Sequence, residues 1–352
     1  MRAITVVPGQ TESARLEELP EPSEQEGDVL VDGLALGICG TDGEIVRGEY
    51  GWPPPGAERL VLGHESLGRV REAPAGSGLS PGDLVVGIVR RPDPEPCVCC
   101  ARGEWDFCRN GRYTERGIKE RHGYGSERWR VEAEFAVRIE PELESVGMLV
   151  EPTSVVAKAW EQVERIANRS CHDLESALVT GAGPIGLLAA MLGVQRGLDV
   201  HVLDRVSDGV KPELVRALGA TYHSDGVEAA GAVDVVIEAT GAGQLVVDAM
   251  RVTAAGGIVC LTGVSPAGRS IAVDVGALNR TMVLENDVVF GSVNANRRHY
   301  EAAAEALARA DSSWLERVIS RRVPLDRWAD ALEKGPDDVK VVVDLDSDRD
   351  RS

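Results

Sequence analysis

The chain is short of aromatic residues, of lysine and of long apolar runs. Trp, Tyr and Phe together make up 4 % of its 352 residues, beside 39 glycines. That balance suits an aliphatic α/β core joined by tight turns. The longest apolar stretches, such as 187–194 and 233–237, fall well short of the roughly 20 residues a membrane span needs. The opening Met-Arg-Ala-Ile-Thr-Val-Val reads as a first strand and lacks the apolar core and cleavage site of a signal peptide. A cytoplasmic protein is expected. Lysine and arginine number 38 against 57 acidic residues, giving a net charge of −19 and a pI near 4.8. Such acidity argues against nucleic acid or an anionic membrane as partner. The rarity of lysine is read as arginine-rich coding rather than adaptation to salt.

What is present is a chain long enough for two domains, 43 % of it hydrophobic. Residues 1–90 alternate short apolar runs (29–31, 60–62, 84–89) with Gly and Pro turns, the pattern of an irregular β domain. Residues 91–128 are rich in Pro, Cys, Gly and charge, and read as a protruding lobe held by something other than a core. Helical spacing over 151–167 places Val155, Val156, Ala159, Trp160, Val163 and Ile166 on one side. From 175 onward strands (177–180, 200–203, 233–237, 257–262) alternate with helices (185–195, 211–218, 243–251), which predicts a parallel sheet. The charged tail 344–352 is expected to fray.

Thr180-Gly181-Ala182-Gly183-Pro184-Ile185-Gly186 carries G-x-G-x-x-G between a strand and a helix. Gly181 permits the turn, Gly183 lets the backbone approach a pyrophosphate, and Gly186 lets helix and strand pack closely. The helix N-terminus favours the anion. Asp204 follows Gly186 by 18 residues, at a strand end. It suits the ribose hydroxyls of NAD, whereas Arg205 beside it could pair with a 2′-phosphate. NAD is the expected cofactor, with NADP possible.

Cys39, His64 and a carboxylate from Glu65 or Glu151 form a ligand set for zinc with an open position. Asp42 could hold the far nitrogen of His64. Cys97, Cys99, Cys100 and Cys108, four cysteines in twelve residues, point to a second, structural zinc in the lobe rather than to disulfides. Cys171 and Cys260 stand alone and read as core or boundary residues.

These segments resemble the zinc-dependent medium-chain alcohol dehydrogenases, and within them the archaeal-type glucose and aldose 1-dehydrogenases. The resemblance rests on Gly37-Ile-Cys-Gly-Thr-Asp42, Gly63-His-Glu65, Arg90-Arg91, Asp106-Phe-Cys108, Glu115-Arg-Gly-Ile118, Glu151-Pro152, the Gly-rich turn and Gly291-Ser-Val-Asn294. It implies a GroES-like, β-rich catalytic domain (1–153 and 295–352, with the lobe at about 91–128). A doubly wound Rossmann domain (154–294) would interrupt it. It implies Thr41 as a proton relay, and Glu115, Glu151 and Asn294 as contacts to sugar hydroxyls. Thr240 and the turn Thr262-Gly263-Val264 would line the cofactor. The implied reaction takes the anomeric hydroxyl of an aldose to a lactone, with hydride passing to the nicotinamide. A polyol or threonine-type dehydrogenase and a zinc-free quinone or enone reductase are the alternatives. Relatives imply a dimer or tetramer.

The chain departs from the family pattern in three places. The first cysteine of the lobe's C-x2-C-x2-C-x7-C falls on Pro94, leaving Cys99, Asp93, Glu95 or nothing as fourth ligand. Val155 replaces an Asp that some relatives use for the sugar, and a substrate His of a relative aligns near Leu284.

Overall fold

The protein is described by a computed structural model covering residues 1–266, 268 and 270–346. The expected fraying of the tail therefore falls, beyond Asp346, outside the described residues. The chain divides into two units: Met1–Ser154 with Ala295–Ser352, and Val155–Asn294. Among the described residues no helix is long and apolar enough to cross a membrane.

The first unit is built on a seven-stranded sheet. Its order runs Ala136–Ile139, Leu84–Gly87, Glu65–Glu72, Val29–Ile38, Lys340–Asp344, Ile319–Pro324, and Arg128–Val131 also pairs with Val29–Ile38. The long strand Val29–Ile38 is the hub. It is buried nearly throughout, which its apolar run Val-Leu-Val…Leu-Ala-Leu requires on both faces. Two smaller three-stranded sheets flank it in sequence: Arg15–Glu18, Arg2–Val6, Leu60–Val61; and Arg90–Arg91, Thr114–Arg116, Glu120–Arg121. The second of these starts at Arg90, one residue before the segment read as a protruding lobe, and otherwise lies within it. The strand Glu65–Glu72 was hidden by its polar residues, of which Glu65 and Ser66 are nevertheless buried.

The second unit is a six-stranded sheet, parallel in every pair. Its order is Thr221–His223, Asp199–Leu203, Ser176–Thr180, Val233–Glu238, Thr253–Leu261, Val288–Gly291. Spatial order 3-2-1-4-5-6 is the doubly wound arrangement, and it puts the turn after Ser176–Thr180 at the point where strand order reverses. Leu178, Val236, Val259 and Leu203 share its core; burying each contributes about 1.5–3 kcal/mol. The helix Pro184–Gln195 starts on Pro, whose φ is already helical. It is apolar all round, with Leu187–Gly193 buried throughout. The helix Val150–Ala167 buries Val156, Ala159, Trp160 and Val163 completely, and Trp160 Nε1 donates to Ala189 O at 3.1 Å. Val155 and Ile166, expected on the same stripe, are half-buried. The helix Val275–Glu285 and the strand Val288–Gly291 were not legible, because that helix buries none of its residues and so carries no periodic signal.

Candidate active site

The candidate metal donors sit where the hub strand ends. After Ile38 the backbone stays extended through Cys39 and then turns into the helix Gly40–Val46. Asp42 closes that turn: its Oδ2 accepts the Cys39 N–H at 2.9 Å. Its Oδ1 faces His64 Nδ1 at 3.5 Å, and both atoms are buried with no closer partner. A carboxylate facing Nδ1 favours the N–H there and leaves the Nε2 lone pair for a metal. Nε2 lies 3.1 Å from Cys39 Sγ. Gly63 brings His64 in with φ +93°, and a Cβ there would meet Leu36 at 2.5 Å.

Glu65 opens its strand directly opposite Gly37. A Cβ on Gly37 would lie 2.1 Å from Glu65 Oε2, so glycine is what leaves room for the carboxylate. The donor atoms of Cys39, His64 and Glu65 all lie within 4.8 Å of one another. Sequence reasoning missed their partner. Lys340, from the strand Lys340–Asp344, places Nζ 2.6 Å from both carboxylate oxygens of Glu65 and 3.2 Å from Ile38 O. Its only sequence signal is a lysine opening an apolar strand.

The charges here are strongly coupled. Burial pushes the His64 pKa down, but Cys39 and Asp42 outweigh it and hold the imidazole well above its ordinary value. Burial pushes Asp42 up, and His64 and the Cys39 N–H outweigh that, leaving it below the usual range. For Lys340, burial is likewise overcome by Glu65 and Cys39, which raise it. Glu151, in the first turn of its helix, goes the other way: burial, with Glu65 and Asp42 adding, pushes it up to about 7 against His64 and Lys340. Glu151 thus feels the same charges without joining the converged donors, which are Cys39, His64 and Glu65. A pocket that stabilises positive charge between sulfur, imidazole and carboxylate donors fits zinc.

In the lobe, Cys97, Cys100 and Cys108 converge, also within 4.8 Å. Two short turns, Cys100–Arg102 and Trp105–Phe107, fold the chain back to bring Cys108 in. N–H groups of Arg109 and Cys100 pull Cys97 down to about 6, while burial pushes Cys100 up to about 11. Cys99 does not join the group; its carbonyl instead receives the N–H of Arg102 and Glu104. Asp93 and Glu95 are both paired with Arg112. The lobe is tied to the rest of its unit by Asn296 Nδ2 donating to Asp106 Oδ1 at 2.8 Å and by Arg298 forking onto Glu104.

Glu115, expected to meet the sugar, is 7 % exposed. Its Oε1 accepts from Arg90 Nε and Nη2 at 3.1 and 2.9 Å, and the Arg90 guanidinium stacks over Tyr113. Trp52 is pinned to the same turn: its N–H donates to Ile118 O, and Glu120 N–H donates to its carbonyl. Trp52 and Tyr50 form an edge-on pair, both more than 40 % exposed. Thr41 lies half-buried in the first turn of the helix that follows Cys39.

The second unit holds the nucleotide candidates. Gly181 has φ +93°, and a Cβ on Gly186 would fall 1.7 Å from Gly181 O, so alanine at 186 would force helix and strand apart. A Cβ on Gly183 would meet nothing within 4 Å, so the turn is open on that side, where a ligand's approach to the backbone would be unhindered. Pro184 and Ile185 follow at the helix start. Thr240, Thr262 and Gly263 are organised by Glu238, a fully buried residue that the sequence reading overlooked. Glu238 accepts from Thr240 N, Gly241 N, and the hydroxyls of Thr180 and Thr240, while its carbonyl accepts from Thr262 and Gly263. Its signal was a charge closing an apolar strand. Val264 is 83 % exposed and Arg205 is exposed, while Asn294 adopts φ +63°.

Residues 144–345 match the family described as glucose dehydrogenase C-terminus, and residues 25–141 the alcohol dehydrogenase GroES-like domain. The chain is 42 % identical to the glucose 1-dehydrogenase of Thermoproteus tenax and 38 % identical to that of Methanocella arvoryzae. Each alignment covers 98 % of this chain and 99 % of the relative. Its structure is similar to that of Haloferax mediterranei glucose dehydrogenase in complex with NADP, Zn and gluconolactone. The TM-score is 0.90 at 33 % identity, covering 99 % of this chain and 100 % of the other. Similarity to an alcohol dehydrogenase from Thermotoga maritima, at 22 % identity and a TM-score of 0.82, extends to the fold alone. The chain belongs to the glucose dehydrogenase family, a zinc-dependent, NAD(P)-dependent branch of the medium-chain dehydrogenases acting on a CH–OH group.

Proposed function

We propose that Cys39, His64 and the carboxylate of Glu65 or Glu151 hold the zinc at which this enzyme oxidises the anomeric hydroxyl of a glucose-like aldopyranose to its lactone. The convergence of a sulfur, an imidazole and a carboxylate beside a buried lysine carries this reading. When bound, zinc supplies the Lewis acidity that lowers the pKa of a hydroxyl. A nicotinamide bound in the second unit would supply the hydride acceptor, a chemistry that belongs to the cofactor.

The chain's own residues do the rest. Asp42 fixes the ring of His64 and, through the Cys39 N–H, the start of the helix that carries Thr41. The Thr41 hydroxyl then passes the substrate proton outward. Lys340 holds Glu65 from behind and offsets its charge. Glu115, oriented by Arg90, accepts hydrogen bonds from sugar hydroxyls, as does Glu151. Charged acceptors form the stronger bonds. Tyr50 and Trp52, exposed on the Glu115 turn, offer rings to the apolar face of a pyranose.

The structure also supports a homo-oligomer. Val288–Gly291 is the edge strand of the parallel sheet, and Ile271, Val275, Val283 and Leu284 are exposed in the segment leading to it. An uncovered edge beside exposed apolar side chains is a surface that a second copy covers. Sedimentation of the intact protein tests this, a monomer at micromolar concentration being the contrary result. For the reaction, the test is a panel of aldoses, polyols and simple alcohols run with NAD and NADP, with lactone identified as product. Turnover of polyols without aldoses would overturn the aldose assignment.

A further inference from the structure

Asp204 is less available to a cofactor than its sequence position suggests. Its Oδ2 accepts the N–H of Ala182 at 2.8 Å, within the Gly-rich turn, and its Oδ1 accepts the Val206 N–H at 3.3 Å. A cation also stands against it: Lys211 Nζ lies 3.4 Å from Oδ2, with the two side chains only 22 % and 11 % exposed. The carboxylate braces its own loop, and its charge is locally offset.

Lys211 is badly placed for helix stability. It is the second residue of the helix Val210–Ala217, whose N-cap, Gly209, provides no side-chain cap. A cation in the first turn opposes the helix dipole, which favours anions there. Nor is it clamped: 3.4 Å is long beside the 2.7–2.9 Å typical of a charge-assisted bond. The ammonium has three donors on a flexible four-carbon stem. An ammonium so placed can reach an anion at this corner of the sheet.

We propose that Lys211 is the specificity-determining residue that lets this chain accept a 2′-phosphorylated dinucleotide despite Asp204. The proposal rests on the reading that the adenosine ribose lies at Asp204, where doubly wound sheets place it. With NAD, Lys211 stays on Asp204 and the carboxylate receives the ribose. With NADP, the ammonium turns from Oδ2 to the phosphate, which brings its own negative charge. Arg205, exposed beside Asp204, is the rival cation.

The test is fluorescence titration of NADH and NADPH against wild type, Lys211→Met, Lys211→Arg and Arg205→Ala, at one ionic strength. Lys211→Met should weaken NADPH about tenfold or more, the loss of one charged hydrogen bond, and change NADH less than about twofold. Lys211→Arg should retain NADPH. Equal weakening of both nucleotides by Lys211→Met would overturn the proposal, since Lys211 would then merely support Asp204. Unchanged NADPH binding in Lys211→Met, with loss in Arg205→Ala, would overturn it in favour of Arg205. A wild type that binds NADH but not NADPH also overturns it, yet leaves the dinucleotide site standing; binding of neither removes that reading as well.

Discussion

The first unit contains two clusters of metal donors built from opposite materials. Around Cys39, His64 and Glu65 the scaffold is the centre of a seven-stranded sheet, and two of the three donors face a buried charged partner: Asp42 for His64, Lys340 for Glu65. Around Cys97, Cys100 and Cys108 the chain runs through short turns, and the Cys97 sulfur accepts the backbone N–H groups of Cys100 and Arg109. The first cluster keeps its shape through packing. In the second, a metal bound by the three sulfurs would supply the cross-link. Mixed donors backed by charged groups make a site for chemistry; thiols on a loop make a site for folding.

Exchanging the roles would break this contrast. The largest effect is expected for Cys39→Ser or His64→Ala. Either should lower kcat/KM by about a thousandfold or more, since a Lewis acid supplies several kcal/mol. NAD binding should persist, and equilibrium dialysis would check it; retained turnover in metal-free buffer would contradict the assignment. Cys100→Ser should act on the other axis. It should lower Tm by on the order of 10 °C and remove one of two zinc ions found by elemental analysis, with little change in substrate preference.

Lys340→Met probes how far the packed cluster depends on its cation. Removing one partner of a buried pair costs about 3–5 kcal/mol. That cost should be smaller in zinc-loaded than in metal-free protein, because the ion then offsets Glu65. Equal losses in parallel thermal unfolding would separate Glu65 from the metal. Glu115→Gln should cost about 1.5–3 kcal/mol in kcat/KM for aldoses and spare simple alcohols. A uniform loss on both, with a lower Tm, would assign Glu115 to holding Arg90. The smallest effect is expected for Cys99→Ser. Zinc content and Tm should stay within error, and a loss like that of Cys100→Ser would make Cys99 the fourth lobe ligand.

How much of this was legible follows from where the information lies along the chain. Second-unit strands such as Val233–Glu238 announce themselves, because parallel strands buried on both faces read as apolar runs. The Gly-rich turn and the Cys, His-Glu and Glu-Pro motifs are local and were read directly. Lys340 was not, because its pairing with Glu65 spans 275 residues and no local pattern encodes it. Glu238 was missed for a related reason. A buried carboxylate is recognisable only once the three strand ends that it ties are seen together. The Arg90–Glu115 pair shows a third kind of gap: both residues were noticed, and their contact was not.

The position of Lys340 also sets an order of events during synthesis. Domains generally fold as units, N-terminal regions first. Here Cys39, His64 and Glu65 all leave the ribosome early, yet the strand that lies against Val29–Ile38 and carries the cation for Glu65 comes after the whole second unit. Throughout that interval the Ala35–Ile38 end of the hub strand lacks its partner, since Arg128–Val131 covers only Val29–Asp32, and Glu65 has no lysine. Cys39, His64 and Glu65 therefore acquire this charge balance only when Lys340–Asp344 docks, after the whole second unit has been synthesised.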